Sequence, residues 1–170
     1  MARLDAWCRA RRFYGWDLYD GLHNGFFDKM KIGYPRLHVY IVQFMKHSPI
    51  NLRPILGIKR GLDNKGSGLF LWAYSTLYKL YGKPEYKEAA KYLCQKLLSN
   101  SLKSKFGDYC WNSHYYRCVT FDGEFATDIP DTIGSSAVTY GLAKYYSVFK
   151  DEKIKRIFKK LLCIRKKAPH

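Results

Sequence analysis

The chain has 170 residues and a formal net charge of +16; 47% of its residues are apolar and 17% are aromatic. This length predicts one domain or part of a larger one, and the aromatic content excludes a disordered polar chain. No apolar run reaches the roughly 18 to 20 residues that a membrane span requires. The first residues, MARLDAWCRARR, lack the apolar core of a secretory signal. We therefore expect a soluble, cytoplasmic protein.

In chain order, the predicted elements are helices joined in pairs. An amphipathic helix over 1–12 comes first. A short helix over 20–31 then precedes a longer one that Pro35 opens, and together they form a first hairpin over about 20–47. Two further hairpins follow at about 68–99 and 132–166, with turns at YGKPEY and FKDEK. The pattern predicts an all-α fold built from repeated αα-hairpins.

The second and third hairpins are related by a repeat. The segment that begins at Leu71 aligns with the chain 68 residues further on, with apolar residues on apolar residues. Lys79 is the only charge from 68 to 81, and Lys144 is the only one from 132 to 149. Because a helix that is apolar nearly all round is buried, we predict that these two are inner helices and that their charged partners are outer helices. Helical spacing predicts the deepest burial for Leu69, Trp72, Ala73, Leu77, Val138, Leu142 and Tyr145.

Each long connection of the chain leads into an inner helix. Residues 13–19, 47–67 and 99–131 each precede an inner helix, so we expect all three connections on one face of the assembly. Long loops in compact domains commonly carry function. The same face holds the N-termini of the inner helices, whose dipoles and free N–H groups favour anions.

Five segments carry a likeness to a known family: WDLYDGL, SPINLRPILGI, NKGSGLFLWAY, DTIGSSAVTYGLAKYY, and the aromatic stretch that follows Cys110 and Trp111. Through them the chain resembles the α/α-toroid (six-hairpin) proteins that act on carbohydrates. Within this class it resembles more closely a prokaryotic family of toroids associated with polysaccharide biosynthesis. Such proteins close a ring of about six hairpins. With three hairpins over 1–170, the resemblance implies a single partial toroid domain, the N-terminal half of a ring.

Five residues are candidate catalytic groups: Asp17, Asp20, His114, Asp128 and Asp131. Glycoside chemistry uses two carboxylates on opposite sides of a cleft. Since Asp17 and Asp20 lie three residues apart on one segment, a carboxylate from another loop would have to face them. His114 could serve as an acid or a base near neutral pH. The alternative is structural, with Asp20 capping the first inner helix and Asp17 accepting backbone hydrogen bonds.

Five other residues are candidate substrate-binding groups: Arg53, Lys65, Trp111, Tyr115 and Tyr116. Arg53 lies in a loop stiffened by prolines, where it could hold a substrate carboxylate or phosphate, or pair with Asp17 or Asp20. Lys65 stands in DNKGSG at the start of an inner helix. The three aromatic residues have faces that stack on sugar rings or bases.

The five cysteines are scattered and include no CxxC pair, so we expect reduced thiols. Cys110, His114 and Cys118 supply three soft ligands in nine residues, whereas structural zinc sites use four and begin from a tighter cysteine knuckle. We therefore expect no metal and no other cofactor.

Three functions remain open. The resemblance implies a carbohydrate-processing or carbohydrate-binding protein, and the positive charge favours an acidic or phosphate-linked glycan. Whether it is an enzyme stays open; an enzyme of this kind would be a glycan-active hydrolase, lyase or epimerase. The alternatives are a helical repeat that binds nucleic acid through its basic outer helices, and a non-catalytic half-toroid scaffold.

A half ring predicts association. Three hairpins leave apolar surface uncovered at their ends, and large apolar patches mark interfaces. We expect a twofold homodimer or a second polypeptide that supplies the missing hairpins. Because the basic stretch 153–167 repels its own copy, the interface should involve inner helices and their loops. Sedimentation of the isolated chain at micromolar concentration should show the dimer; a monomer without a large apolar patch would contradict the half-ring interpretation.

Overall fold

A computed structural model describes residues 2–21, 23, 35–106, 108–116, 118–120, 123–125 and 127–164. The helices are α1 (Ala2–Ala10), α2 (Pro35–His47), α3 (Asn64–Tyr81), α4 (Pro84–Ser99), α5 (Lys103–Phe106), α6 (Thr132–Phe149) and α7 (Glu152–Ile164). Strand β1 (Cys118–Thr120) pairs antiparallel with β2 (Gly123–Phe125) in a connection that the sequence presents as a loop. The all-α fold class is confirmed, with this short ribbon as its one addition among the described residues. Most of the predicted helix over 20–31 lies outside them.

The chain comprises two compact units. Unit 1 consists of Met1–Asp63 and His114–Ile129, and unit 2 of Asn64–Ser113 and Pro130–His170. Unit 1 therefore contains α1, α2 and the ribbon, and unit 2 contains α3 to α7. The single domain over 1–170 stays a prediction. None of the described helices combines the length and the apolar character that crossing a membrane would require.

Unit 2 is built on two parallel helices, α3 and α6. Trp72 stacks on Tyr140 with ring centroids 6.0 Å apart, and Tyr78 stacks on Phe149 at 5.1 Å, so both helices advance in the same direction. Their backbones meet at Gly68, where an added Cβ would lie 2.6 Å from the Ala137 carbonyl oxygen. The hairpins α3–α4 and α6–α7 thus place equivalent helices side by side, as stacked helical repeats do.

Helix boundaries follow local chemistry. Pro84 opens α4 after an extended Lys83, because proline has no N–H to leave unsatisfied at this position. α6 begins after its N-cap Asp131 and ends before Lys150, which takes the left-handed conformation at φ 53°. The predicted bounds of α6 are confirmed. α3 begins one turn before the predicted Gly68, at Asn64, because buried hydrogen bonds from the Asn64 amide to Asn112 hold its polar first turn.

The burial predictions are confirmed on α6 and wrong in part on α3. Val138, Leu142 and Tyr145 are buried, and Ala73 and Leu77 are half-buried. Leu69 is 53% exposed and Trp72 is 37% exposed. The buried residues of α3 are Asn64, Ser67, Gly68, Leu71, Tyr74 and Ser75. Four of these six are small or polar, and the small ones permit the close helix contact at Gly68, whereas Leu69 and Trp72 lie outside the buried face.

Unit 1 is held together by its loops. The backbones of Gly15 and Gly61 exchange two hydrogen bonds, at 3.0 and 2.9 Å. The Trp16 indole N–H donates to the Ile58 carbonyl at 2.9 Å, and the guanidinium of Arg60 covers its ring at 4.3 Å. The segment before residue 20 is thereby fixed to the loop that precedes α3.

Substitution of Gly141 by alanine tests the close approach of α3 and α6. A Cβ at Gly141 would overlap the carbonyl group of Gly68, which belongs to the backbone and has no rotamer with which to move away. We expect Gly141→Ala to lower the free energy of unfolding by about 1–3 kcal/mol in urea titration. Ser147→Ala, at an exposed position of the same helix, should change it by less than about 0.5 kcal/mol. Equal effects of the two substitutions would contradict this packing.

Candidate functional site

Unit 1 contains an ion pair between buried Asp20 and half-buried Arg53. The Asp20 side chain is fully buried, and its Oδ1 accepts a hydrogen bond from Arg53 Nε at 2.6 Å. Arg53 Nη2 donates to the carbonyl oxygens of Asp17 at 2.8 Å and Leu18 at 3.3 Å. The Asp17 N–H donates to Asp20 Oδ2 at 3.0 Å. One guanidinium therefore fixes the whole turn that contains both aspartates.

Two tyrosines complete the hydrogen bonds of this turn. The Tyr116 hydroxyl donates to Asp17 Oδ1 at 2.5 Å, an oxygen that also accepts the Tyr19 N–H at 3.0 Å. The Tyr115 hydroxyl donates to the Gly15 carbonyl at 3.0 Å and lies 3.4 Å from Asp20 Oδ2. Gly61 makes room for this arrangement, because a Cβ there would overlap the Tyr115 ring.

Two histidines border the tyrosines. The His23 ring meets Tyr115 edge to face at 5.5 Å, and the His114 ring lies 5.2 Å from Tyr116. We name the whole set the polar cluster: Asp17, Asp20, His23, Arg53, His114, Tyr115 and Tyr116. It contains six of the ten site residues predicted from the sequence, although they come from three distant segments. His23 is its unpredicted member.

The electrostatics of the polar cluster are those of a closed network. Burial raises the pKa of Asp20 above its ordinary value, against the opposing effects of Arg53 and the Asp17 N–H. Burial, reinforced by the charges of Asp20 and Asp17, also raises the pKa of Tyr115. Tyr115 therefore keeps its proton and remains a hydrogen-bond donor. The fully buried Asp20 carboxylate does not reach solvent, and Asp17 lies beside it, not across a cleft from it as glycoside chemistry requires.

The remaining predicted site residues lie elsewhere. In unit 2, Asp131 caps α6 by accepting the Gly134 N–H at 2.5 Å, and it accepts the hydroxyl of Ser113 at 2.8 Å as well as its N–H. Trp111 is fully buried and donates its indole N–H to the Leu97 carbonyl at 2.6 Å, so its ring has no face open to a sugar. Lys65 is exposed in the first turn of α3, and Asp128 is exposed in unit 1.

Unit 2 has an open groove of about 740 Å³ along α6, which we call the α6 groove; its lining residues are Pro130, Asp131, Thr132, Ser135, Ser136, Thr139, Tyr140 and Ala143. Most of these side chains carry a hydroxyl group. Tyr140 is 58% exposed and stacks on the partly exposed Trp72 with 19° between the rings. The Lys144 ammonium lies 6.0 Å from the Trp72 ring centre. The groove thus combines an aromatic platform, hydroxyl groups and a neighbouring cation.

Sequence reasoning missed the pair of Trp72 and Tyr140 as a site. It placed Trp72 in the core and gave Tyr140 no role. The signal was present in the repeat, because the two residues lie 68 positions apart and so occupy equivalent places in successive hairpins. Parallel equivalent helices bring such positions together.

Metal ligation has no support in the part of the chain that the structure describes. His, Cys, Asp and Glu side chains there form no group that could hold an ion. Cys8, Cys94 and Cys110 are free thiols, as predicted for reduced cysteines. Comparison of the chain with protein-family models, with curated proteins and with solved structures found no match.

Replacement of Arg53 tests the buried ion pair against an exposed one. Arg53→Met leaves the Asp20 carboxylate buried without its cation, and we expect a loss of about 3–5 kcal/mol in the free energy of unfolding of unit 1. Arg9 forms a partly exposed ion pair with Asp5 on α1 of the same unit, with Nη2 and Oδ2 2.7 Å apart. Arg9→Met breaks this pair and should lower the free energy of unfolding by only about 0–1 kcal/mol. Chemical denaturation of each variant, followed with a spectroscopic signal from a residue of unit 1, compares the two losses. Similar losses would contradict an anchoring role for Arg53.

The titration of Asp20 makes the stability of unit 1 depend on pH. Because the pKa is raised in the folded state, the folded protein binds the Asp20 proton more tightly than the unfolded chain does. The contribution of Asp20 to stability is therefore complete below its ordinary pKa of about 3.9 and decreases as pH rises through the folded-state value. Asp20→Asn removes this titration. The stability of the original protein relative to Asp20→Asn should thus decrease as the pH rises above about 4, and an increase would contradict the assignment.

Proposed function

We propose that this chain binds an anionic or phosphate-linked glycan through the α6 groove, as part of an α/α-toroid of the kind that its sequence resembles. The observation that carries the proposal is the aromatic pair of Trp72 and Tyr140. Its rings are partly exposed and lie nearly parallel at 6.0 Å, and Tyr140 lines a groove rich in hydroxyl groups. The groove includes Pro130, Asp131 and Thr132, where the chain enters α6.

The lining of the α6 groove suits a sugar. A pyranose ring presents C–H groups on its faces and hydroxyls around its edge, so an aromatic face and small hydrogen-bonding side chains recognise it together. Thr132, Ser136 and Thr139 supply hydroxyl groups that both donate and accept. The exposed face of Tyr140 supplies the stacking surface.

Charge favours an anionic glycan. The chain carries a net charge of +16, and the Lys144 ammonium lies next to the aromatic pair. Positive potential concentrates anionic ligands near the protein. A polyanionic nucleic acid is the competing ligand, supported by Lys153, Arg156 and Lys159, which are exposed along α7. The Asp131 carboxylate that lines the α6 groove favours the sparser charge of a glycan.

Binding has more support than catalysis. Asp17, Asp20 and Asp131 each accept hydrogen bonds from within their own unit, and these bonds hold turns or a helix start. A hydrolase, lyase or epimerase needs carboxylates directed at the substrate. We therefore propose a non-catalytic role, in the cytoplasm, with a second copy or another chain completing the toroid.

Titration calorimetry with an acidic polysaccharide tests the proposal. We expect polygalacturonate to bind and neutral dextran to bind much more weakly. Tyr140→Ala and Trp72→Ala should each weaken polygalacturonate binding about tenfold, because each removes part of the stacking surface. Tyr81→Ala is the matched control, since Tyr81 is a comparably exposed aromatic residue (64%) at the other end of α3. It should leave the affinity unchanged.

Single-stranded DNA distinguishes the competing function. If nucleic acid were the ligand, its binding would fall steeply with salt and would depend on α7 charges, not on Tyr140. Tight DNA binding that Tyr140→Ala leaves unchanged, together with no binding of polygalacturonate, would overturn the glycan proposal.

A further inference from the structure

A second cavity lies in unit 2, apart from the α6 groove. It has a volume of about 330 Å³ and forms where the segment after α4 meets the first turns of α7, with Lys103, Tyr109, Glu152, Lys153, Arg156 and Ile157 as its lining. It shares no lining residue with the α6 groove. We name it the cationic pocket.

The charges of the cationic pocket are unbalanced. Lys103, Lys153 and Arg156 contribute three positive charges, against the one carboxylate of Glu152. That carboxylate is already engaged by the Lys155 ammonium at 2.9 Å on the outer surface of α7. The pocket therefore presents an excess of cations to whatever enters it.

Part of this arrangement is fixed by the core. The Lys103 ammonium lies 4.5 Å from the centre of the Tyr109 ring, a cation–π contact that limits where its charge can move. Tyr109 in turn stacks on the fully buried Trp111 at 6.2 Å. Ile157 is buried and closes the pocket from the α7 side. Lys103, Tyr109 and Ile157 are thus already in position before any ligand binds.

The position on α7 adds to the attraction for anions. Glu152, Lys153 and Arg156 belong to the first five residues of a helix of 13 residues, at the end where its dipole is positive. Asp151 accepts the Lys153 N–H at 2.9 Å and so holds the start of the helix in place. A planar guanidinium near a helix start is suited to two parallel hydrogen bonds with a phosphate.

We infer that the cationic pocket is a binding site for a phosphorylated small molecule of about monosaccharide size. Three cations and the Glu152 carboxylate give the lining a net charge of +2, which matches the charge of about −2 on one phosphate group. Tyr109 and Ile157 provide an apolar wall for the group that carries the phosphate. The volume lies at the small end of the range for ligand pockets, about 300–1,000 Å³, which fits one sugar unit. This site does not depend on the proposed glycan groove, because the two use different residues.

Calorimetric titration of the full chain at low salt tests the inference, with glucose 1-phosphate as the probe. Glucose 1-phosphate should bind, and glucose should not. Arg156→Gln and Lys153→Gln should each weaken its binding about ten- to one-hundredfold, because each removes a charge-assisted hydrogen bond. Lys79→Gln and Lys91→Gln are matched controls that remove the same charge from exposed positions on α3 and α4. These two control substitutions should change the affinity for glucose 1-phosphate by no more than about twofold.

Further measurements make the result decisive. All four substitutions are at exposed residues, and an unchanged melting temperature will show that each variant is folded. Tyr140→Ala should leave glucose 1-phosphate binding intact, which separates this site from the α6 groove. No binding of glucose 1-phosphate, or an equal loss in Lys91→Gln and Arg156→Gln, would overturn the inference. Binding abolished by Tyr140→Ala would assign the ligand to the groove and overturn it as well.

Discussion

The close approach of α3 and α6 is the contact on which the rest of unit 2 depends. The backbones meet where Gly68 faces Ala137 and Gly141, and no larger side chain fits there. Because the helices come so close and run parallel, residues on either side of the contact stack in pairs, including Trp72 with Tyr140. The aromatic platform of the α6 groove is thus a consequence of the glycine contact, and a side chain at Gly141 would separate its two rings.

Unit 1 depends on a different interaction, the buried pair of Asp20 and Arg53. Isolating a carboxylate from water is costly, and a single cation recovers that cost only when further hydrogen bonds satisfy the remaining oxygen. Here the Asp17 N–H donates to that oxygen, with the Tyr115 hydroxyl 3.4 Å away. The same residues that resemble a catalytic constellation in the sequence therefore use their hydrogen bonds to fix a turn.

Both proposed sites combine an aromatic ring with cations, yet they differ in what holds them. In the α6 groove the rings are partly exposed and the cation, Lys144, is beside them. In the cationic pocket the ring of Tyr109 stacks on buried Trp111, and three cations belong to the lining. Trp111, expected from the sequence to bind substrate, acts in the second site only through the ring that it supports.

The sequence by itself determined α1 to α4, α6, α7 and their order, because charge-poor runs, prolines and the repeat of 68 residues show in the sequence, whereas it presented α5 and the ribbon only as part of a loop. Pro84 and the bounds of α6 were predictable for this reason. It also identified six residues that meet in the polar cluster, through their residue types alone. Only the tertiary structure decided which faces are buried, since burial depends on where a neighbouring helix lies. Leu69 is exposed and Trp111 enclosed for that reason, and Asp20 became an anchor because Arg53, 33 residues away, reaches it.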